Sequence, residues 1–277
     1  MTMVLVFLFM SLIVLSLTVW RFLDHQADRK AMHELMASQP VNPLRFSKHM
    51  VSHLPEPVQR YFLYTIEQGT ALYAAARISM IGRFGMGNRD KPNYLDFSAN
   101  QVLAMPTGFV WKMSARRGLM SLSGSDSQNW TRFWMIGLLP VARMGGNPDH
   151  LRSAFGRYVA ESVFWTPAAL LPGPGITWES KAADHARVTI DYEGLSQSVD
   201  LMVAANGQPT EVRFERWSNA NPEKRYRLQT FGGYLSDFRS FGGFRLPSHV
   251  EAGNHFDTDQ YFPFFVADVT QVEFPHA

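Results

Sequence analysis

Arg157 and Glu161 stand four residues apart in a stretch that carries the signals of a helix, and they form the pair best placed for chemistry. Side chains at i and i+4 are neighbours on a helix surface, so the two are expected to form an ion pair. The pair borders an apolar arc and is therefore a candidate for the polar end of an apolar pocket. The alternative is an ion pair that only docks the helix on a sheet, and this alternative is favoured because buried charge must in any case be paired.

Aromatic side chains on the same stretch and on two strand-like runs extend this candidate site. Alternation places large apolar groups on one face of each run, where they would line a cavity for an acyl chain or another apolar molecule. A simply filled core is the alternative, because most apolar faces are packed rather than hollow. The predicted ligand-binding set is Phe97, Trp111, Arg157, Tyr158, Glu161 and Trp165.

Motifs that carry catalysis are missing from the sequence. It contains no G-x-S-x-G elbow, no Walker A loop and no H-E-x-x-H helix, so no catalytic residue and no cofactor is assigned. A hydrolase that uses Glu161 with a nearby His or Asp is kept as the enzymatic alternative.

Histidines offer weak candidates for a metal site. His49 and His53 are spaced i, i+4 but lack a third ligand. The group of His249, His255, Asp257 and Asp259 has no tight ligand spacing, so it is interpreted as a polar loop. No metal site is predicted.

The composition excludes several classes of function. The net charge is +2, and no basic run is longer than Arg116-Arg117, which argues against nucleic acid as a partner. The chain has no cysteine, so disulfides and thiol catalysis are excluded. A hydrophobic share of 46% supports a sizeable core.

The N-terminal stretch predicts a membrane span. Residues 3–20 carry no charge and are just long enough to cross a hydrocarbon core of about 30 Å. A cleaved signal peptide is the alternative, but a basic n-region and a small-residue cleavage site are missing. Arg21, Arg29 and Lys30 follow the span, so the positive-inside rule favours a cytoplasmic domain. The side of the membrane is left open.

A helix from Asn147, ended by Pro172 and Gly175, must position the charged pair. Asn147 is an expected N-cap and Pro148 suits the first helical position. The runs on both sides of this stretch alternate between apolar and polar residues and are separated by turn signals, which is typical of antiparallel strands.

The predicted fold is mainly β, an antiparallel curved sheet or half-barrel of about ten strands capped by a central helix pair. An N-terminal transmembrane helix completes it. The predicted domains are an anchor at 1–23, a juxtamembrane helix or linker at 24–42, and a single β-rich domain at 43–277 with a helical insert at about 147–172.

Several motifs resemble an uncharacterised family of bacterial membrane-associated proteins, a domain of unknown function. They are LPxPVxRY from Leu54, FxAxQV from Phe97, PxGFVW from Pro106, RYxAE from Arg157, PxALLP from Pro167 and GxRxP from Gly243. This family implies no activity. The strand pattern with an intervening helix is also similar to the lipoprotein-carrier half-barrel, which implies a lipid-holding interior and a location at the outside face of the inner membrane.

Three hypotheses about function follow. The first is a membrane-anchored, non-catalytic protein that binds a lipid or another apolar ligand between the curved sheet and a helical lid. The second is the hydrolase built on Glu161. The third is a scaffold or assembly protein of the membrane surface, which an exposed apolar patch would indicate.

Overall fold

A computed structural model describes residues 2–275 of the chain, which form three helices and one large sheet. The helices are α1 (Thr2–Ala37), α2 (Glu56–Thr65) and α3 (Pro148–Trp165), with short 3₁₀ turns at Lys48–Met50 and Pro167–Leu170.

The strands fall in two blocks, one on each side of α3. The first block is β1 (Ala75–Gly85), β2 (Tyr94–Ala104), β3 (Gly108–Arg117), β4 (Met120–Ser127), β5 (Trp130–Met135) and β6 (Leu139–Gly145). The second is β7 (Ile176–Ala182), β8 (His185–Tyr192), β9 (Leu195–Val203), β10 (Pro209–Ser218), β11 (Arg227–Phe241), β12 (Phe244–Asn254) and β13 (Phe262–Glu273).

All these strands belong to one antiparallel sheet. Its order is β6-β5-β4-β3-β2-β1-β13-β12-β11-β10-β9-β8-β7, so β6 and β7 lie at opposite edges, and α3 connects them along the chain. The predicted class, a mainly β open curved sheet with helices, is confirmed. The number of strands is 13 rather than about ten.

The additional strands lie mostly between residues 118 and 144, where the sequence predicts one or two strands and the structure has three. Alternation is weak there because both faces of these strands bury polar groups. Ser125 contacts a helix on one face, and Asp126 contacts another helix on the opposite face.

Helix α3 begins as its sequence predicts. The Asn147 side chain accepts a hydrogen bond from the His150 N–H at 2.9 Å, and Pro148 occupies the first turn. Phe155 and Val159 of the predicted apolar face are buried, whereas Leu151 in the first turn is 41% exposed.

The main core lies between α2, α3 and one face of the sheet, which we call the inner face. Residues that alternate along β1–β3 supply much of it, including Ile78, Met80 and Phe109. The Tyr61 hydroxyl donates a 2.6 Å hydrogen bond to the carbonyl of Val163, which joins α2 to the last turn of α3.

Helix α1 packs on the opposite, outer face. Met32 forms a small apolar cluster with Val102 of β2 and Val110 of β3. One continuous helix thus covers both the predicted span and most of the predicted juxtamembrane segment at 24–42. Its N-terminal part is long and apolar enough to cross a membrane, a property that it would share with a signal sequence.

Candidate functional site

A cavity of about 260 Å³ lies between α3 and the inner face of the sheet. Strands from both blocks reach it, because the curved sheet surrounds α3. Its walls are mostly aromatic and aliphatic, with charged groups at one side. The lining residues are Phe84, Trp111, Asp126, Thr131, Phe133, Arg157, Ala160, Glu161, Phe164, Trp165, Val212, Phe214, Arg216, Phe231, Val250, Ala252, Phe264 and Phe265.

Arg157 is the centre of the charged side. Its Nε donates to Glu161 Oε1 at 2.7 Å, and its Nη1 donates to Asp126 Oδ2 at 2.6 Å. The second oxygen of Glu161 accepts a 2.5 Å hydrogen bond from Gln101 Nε2. The other oxygen of Asp126 accepts from the Thr131 hydroxyl. One cation therefore joins two carboxylates from different elements, and all four carboxylate oxygens are occupied.

The electrostatics follow from burial. Burial disfavours the Arg157 cation, but the charges and hydrogen bonds of Glu161 and Asp126 outweigh this and raise the pKa of Arg157. The guanidinium carbon of Arg157 also lies 4.6 Å from the Phe109 ring centroid and 5.3 Å from that of Trp111, within cation–π range.

A second arginine that lines the cavity, Arg216, differs from Arg157 in its contacts. It makes no ion pair and no hydrogen bond with any residue in the range 2–275, and its Nε is buried. Burial, with repulsion by Arg157, lowers the pKa of Arg216 to about 10, which leaves the side chain cationic at neutral pH. Its guanidinium carbon lies 5.1 Å from the Phe231 ring centroid.

Four of the six residues predicted from the sequence line this cavity, namely Trp111, Arg157, Glu161 and Trp165. The other two support its walls. Phe97 stacks on Phe265 with ring centroids 5.6 Å apart. Tyr158 is buried, and its hydroxyl donates to the carbonyl of Pro106 at 3.1 Å. The role of all six residues in ligand binding stays a prediction.

Sequence reasoning missed Asp126, Gln101 and Arg216. Asp126 lies in the weakly patterned segment. Gln101 interrupts an apolar face and stands in the FxAxQV motif, which could have drawn attention to it. Arg216 had a readable signal, because it follows Val212 and Phe214 on the inward face of β10. A cation at an inward position of an otherwise apolar alternation marks a site that needs a partner.

The enzymatic alternative needs a His or Asp beside Glu161, and the structure places Arg157 there. Arg157 stands between Glu161 and Asp126, and no histidine of the described chain hydrogen-bonds to Glu161. His150 is buried at the start of α3, where its Nε2 lies 3.0 Å from the carbonyl of Ser127.

The remaining histidines do not form a metal site among residues 2–275, where no cluster of three potential metal ligands occurs. His249, from the predicted polar loop group, lies on β12 and pairs with Asp268 through Nδ1 at 2.7 Å.

A second buried charge cluster lies on the outer face, where α1 meets β5 and β6. Asp24 accepts from Arg143 at 2.7 and 3.0 Å, from Arg132 at 3.2 Å and from the Trp134 indole at 2.9 Å. Asp28 accepts from Arg132 at 2.5 Å. Burial disfavours the Asp24 carboxylate, but the Arg143 and Trp134 hydrogen bonds and the two arginine charges hold its pKa below the usual value.

The fold and this cavity define a mainly β type of protein in which a helix lies across an open antiparallel sheet. The chain belongs to the family of unknown function DUF6544, whose model matches residues 44–267. This confirms the family resemblance noted from the motifs. No curated protein matches the chain.

Two solved structures are similar to the chain over most of its length. One is a LolA superfamily protein from Nitrosomonas europaea, with 10% identity, a TM-score of 0.40, and coverage of 79% of this chain and 91% of that one. The other is a putative outer membrane lipoprotein-sorting protein domain from Vibrio parahaemolyticus, with 9% identity, a TM-score of 0.37, and coverage of 83% and 92%.

Proposed function

We propose that this chain is a membrane-anchored, non-catalytic protein that binds a lipid or another apolar molecule between the curved sheet and α3. The observation that carries the proposal is the cavity itself. Its volume of about 260 Å³ approaches the lower end of ligand pockets, which span about 300–1,000 Å³. Mostly apolar walls with a few polar groups at one side are also the usual composition of such pockets.

The organisation of the charged side supports binding rather than proton transfer. Both oxygens of Glu161 accept hydrogen bonds, from Arg157 and Gln101, so this carboxylate already has a structural role. We therefore advance no catalytic role for Glu161.

Co-purification tests the proposed binding. The full chain is extracted from membranes in a mild detergent, and bound molecules are identified by native mass spectrometry and by organic extraction. The matched variant is Ala160→Leu, which fills the cavity from α3, where Ala160 is 4% exposed.

We expect an apolar molecule with the natural chain and a clear loss of it with Ala160→Leu at unchanged circular dichroism. A natural chain free of bound molecules, or equal occupancy of both proteins, would overturn the proposal.

The anchoring part of the proposal rests on α1. The helix runs without a break through the end of the apolar stretch, and Trp20, Arg21 and Asp24 contact the domain directly after it. The sequence has no basic n-region before the apolar stretch and no small-x-small cleavage site after it, which supports an uncleaved anchor over a signal peptide. The intact mass of the membrane-extracted protein tests this, because cleavage would remove residues 1–20 or more.

A further inference from the structure

Three residues that line the cavity carry nitrogen donors without acceptors. The indole Nε1 atoms of Trp111 and Trp165 and the Nε of Arg216 are buried and unbonded within residues 2–275. A buried donor left unpaired costs about 1–3 kcal/mol, so donors of this kind are usually satisfied by something. The three nitrogen atoms themselves are covered by protein, whereas the two Nη atoms of Arg216 are not, so the end of the Arg216 guanidinium is the donor that an acceptor oxygen of a ligand can reach.

The charges of the cavity identify the strongest of these donors. Asp126 and Glu161 are both engaged by Arg157 at 2.6 and 2.7 Å, and within residues 2–275 they act on Arg216 only through space, without a hydrogen bond or ion pair to it. The guanidinium group of arginine matches the two oxygens of a carboxylate or phosphate. Arg216 is therefore the natural partner for an oxyanion.

On strand β10, Arg216 lies where the lining changes from apolar to polar residues. Val212 and Phe214, which precede it on the inward face, belong to the apolar cavity. Ser218 and Asn219, which follow, line an adjoining recess of about 210 Å³ with Tyr226. Arg216 lines both spaces. A molecule that occupies both would place its apolar part beside Phe214 and its polar part beside Arg216.

We propose that the site takes an amphiphile with an oxyanion headgroup, a carboxylate or a phosphate monoester, which Arg216 binds while the apolar tail occupies the cavity. This rests on the proposed function and names the class of ligand.

The test uses the full chain in phosphatidylcholine nanodiscs and follows quenching of tryptophan fluorescence by chain-brominated probes. The probes are bromododecanoate, bromododecyl phosphate and uncharged bromododecanol. Arg216→Gln removes the cation. Arg213→Gln is the matched control, because Arg213 lies on the same strand, faces the other way and pairs with the exposed Asp257 at 3.2 Å.

We expect the two anionic probes to bind the natural chain and Arg213→Gln about tenfold or more tightly than the alcohol does. Arg216→Gln should lose this preference and keep the binding of the alcohol. Equal affinity of acid and alcohol for the natural chain, or a preference that survives in Arg216→Gln, would overturn the anionic headgroup but not the apolar site. Inorganic phosphate that competes as well as the amphiphiles would show a simple anion site and overturn the role of the tail. No saturable quenching by any probe would instead overturn the proposed function.

A second inference comes from the end of the sheet beside the apolar part of α1. Arg21 follows that part directly, and its Nη1 donates to the carbonyl of Gly137 at 2.5 Å in the turn between β5 and β6. Its Nη2 donates to the Ser123 hydroxyl at 3.0 Å. The ring of Trp20 packs edge-on against Trp134, with centroids 5.6 Å apart. If α1 spans a bilayer, this turn lies at the bilayer surface.

Large apolar side chains are exposed at the same end. Leu119 lies in the turn between β3 and β4, and Met120 begins β4; Ile136 lies in the turn between β5 and β6, and Leu139 begins β6. Leu119 is fully exposed and Ile136 is 56% exposed. The two turns are adjacent, since the Ile136 N–H donates to the carbonyl of Ser121 at 2.8 Å. Grouped exposed apolar residues mark an interaction surface.

We infer that these two turns, Leu119–Met120 and Ile136–Leu139, insert into the headgroup layer of the bilayer that α1 spans. The exposed Arg116 and Arg117, which end β3 beside the first turn, suit an anionic lipid surface. The inference depends on the anchoring proposed above and is independent of the ligand of the cavity.

Single cysteines test this inference cleanly, because the natural chain has none. Leu119→Cys and Ile136→Cys are labelled with an environment-sensitive fluorophore in the full chain, reconstituted in vesicles of phosphatidylcholine and phosphatidylglycerol. The control is Leu63→Cys, because Leu63 of α2 is 52% exposed at the opposite end of the sheet.

Labels at 119 and 136 should show blue-shifted emission and strong quenching by spin-labelled lipid, and the label at 63 should show neither. A water-like signal at 119 and 136, matching that at 63, would overturn the inference.

Discussion

Helices α1 and α3 are both held to the sheet by buried arginine–carboxylate pairs, but the two clusters lie on opposite faces and are completed differently. On the outer face, Asp24 and Asp28 are matched by Arg132 and Arg143. On the inner face, Arg157 alone takes both available carboxylates, and Arg216 is left beside a cavity.

The comparison separates two uses of the same chemistry. A cluster whose charges complete one another fixes one element against another. A cluster that leaves a cation unpaired beside an apolar cavity is incomplete by itself and is suited to a ligand. The surface pair of His249 and Asp268 represents a third, solvent-screened case.

The largest expected effect comes from the removal of Asp24, the centre of the outer cluster. Asp24→Ala leaves Arg132 and Arg143 without their shared acceptor, and we expect a loss of about 3–5 kcal/mol of unfolding free energy. Urea unfolding of the detergent-solubilised full chain measures it. Glu34→Gln on the same helix is the control, because Glu34 forms an exposed pair with Lys30 and should change little. Equal effects of the two substitutions would contradict a fixing role for the outer cluster.

Removal of Arg157 should have a smaller effect. Arg157→Met leaves Asp126 and Glu161 without their cation, but Arg216 lies close enough to compensate part of their charge. We expect a loss of about 2 kcal/mol, measured by the same unfolding experiment. Arg152→Met is the control on α3, because Arg152 is exposed and only lies over the ring of Trp217 at 4.1 Å. A loss as large as that of Asp24→Ala would show that the two clusters are equivalent.

Removal of Arg216 should not lower the stability of the fold, in contrast to the two substitutions above. The side chain makes no hydrogen bond to a described residue, so Arg216→Met removes a poorly solvated charge and should leave stability unchanged or raise it by about 1 kcal/mol. Thermal unfolding of the lipid-free protein measures this. A clear destabilisation would mean that Arg216 fixes the fold as the arginines of the outer cluster do.

The smallest effect concerns the surface pair and depends on pH. Burial disfavours the His249 cation, but the hydrogen bonds and charges of Asp268 and Glu251 outweigh it and raise its pKa above the usual value. A raised pKa in the folded state stabilises the protein below the unfolded pKa of about 6.5, and the contribution is lost as the pH rises through the folded pKa. His249→Gln should therefore cost a few tenths of a kcal/mol at about pH 5.5 and nothing at about pH 9. Urea unfolding at both pH values checks it; a loss that persists at the higher pH would point to packing instead.

Much of the inner site was predictable because its signals are local. Asn147 and Pro148 mark the start of α3, and the spacing of Arg157 and Glu161 gives their ion pair directly. Alternation places Trp111 on the inward face of β3. These features depend on residues within one element.

The rest of the site depends on contacts between distant parts of the chain. Asp126 contacts Arg157 only because the sheet curves around α3, and no residue near Asp126 in the sequence predicts this contact. Likewise, the residues around Asp24 in the juxtamembrane segment do not predict its ion pairs with Arg132 and Arg143. Periodicity predicts which face a residue occupies, but it does not predict the partner on the other side.

The pairing of the first strand with the last has a consequence for biosynthesis. β1 hydrogen-bonds to β13, and this seam joins two meanders whose other strands mostly pair with their neighbours along the chain. While the ribosome is still producing the second half, β1 is an unpaired strand edge, and such edges are prone to wrong pairing. A nascent chain can therefore fold its N-terminal meander early, but it closes the seam only after residue 273 has left the ribosome. The β1 edge therefore stays without its native partner strand throughout the synthesis of β7 to β13.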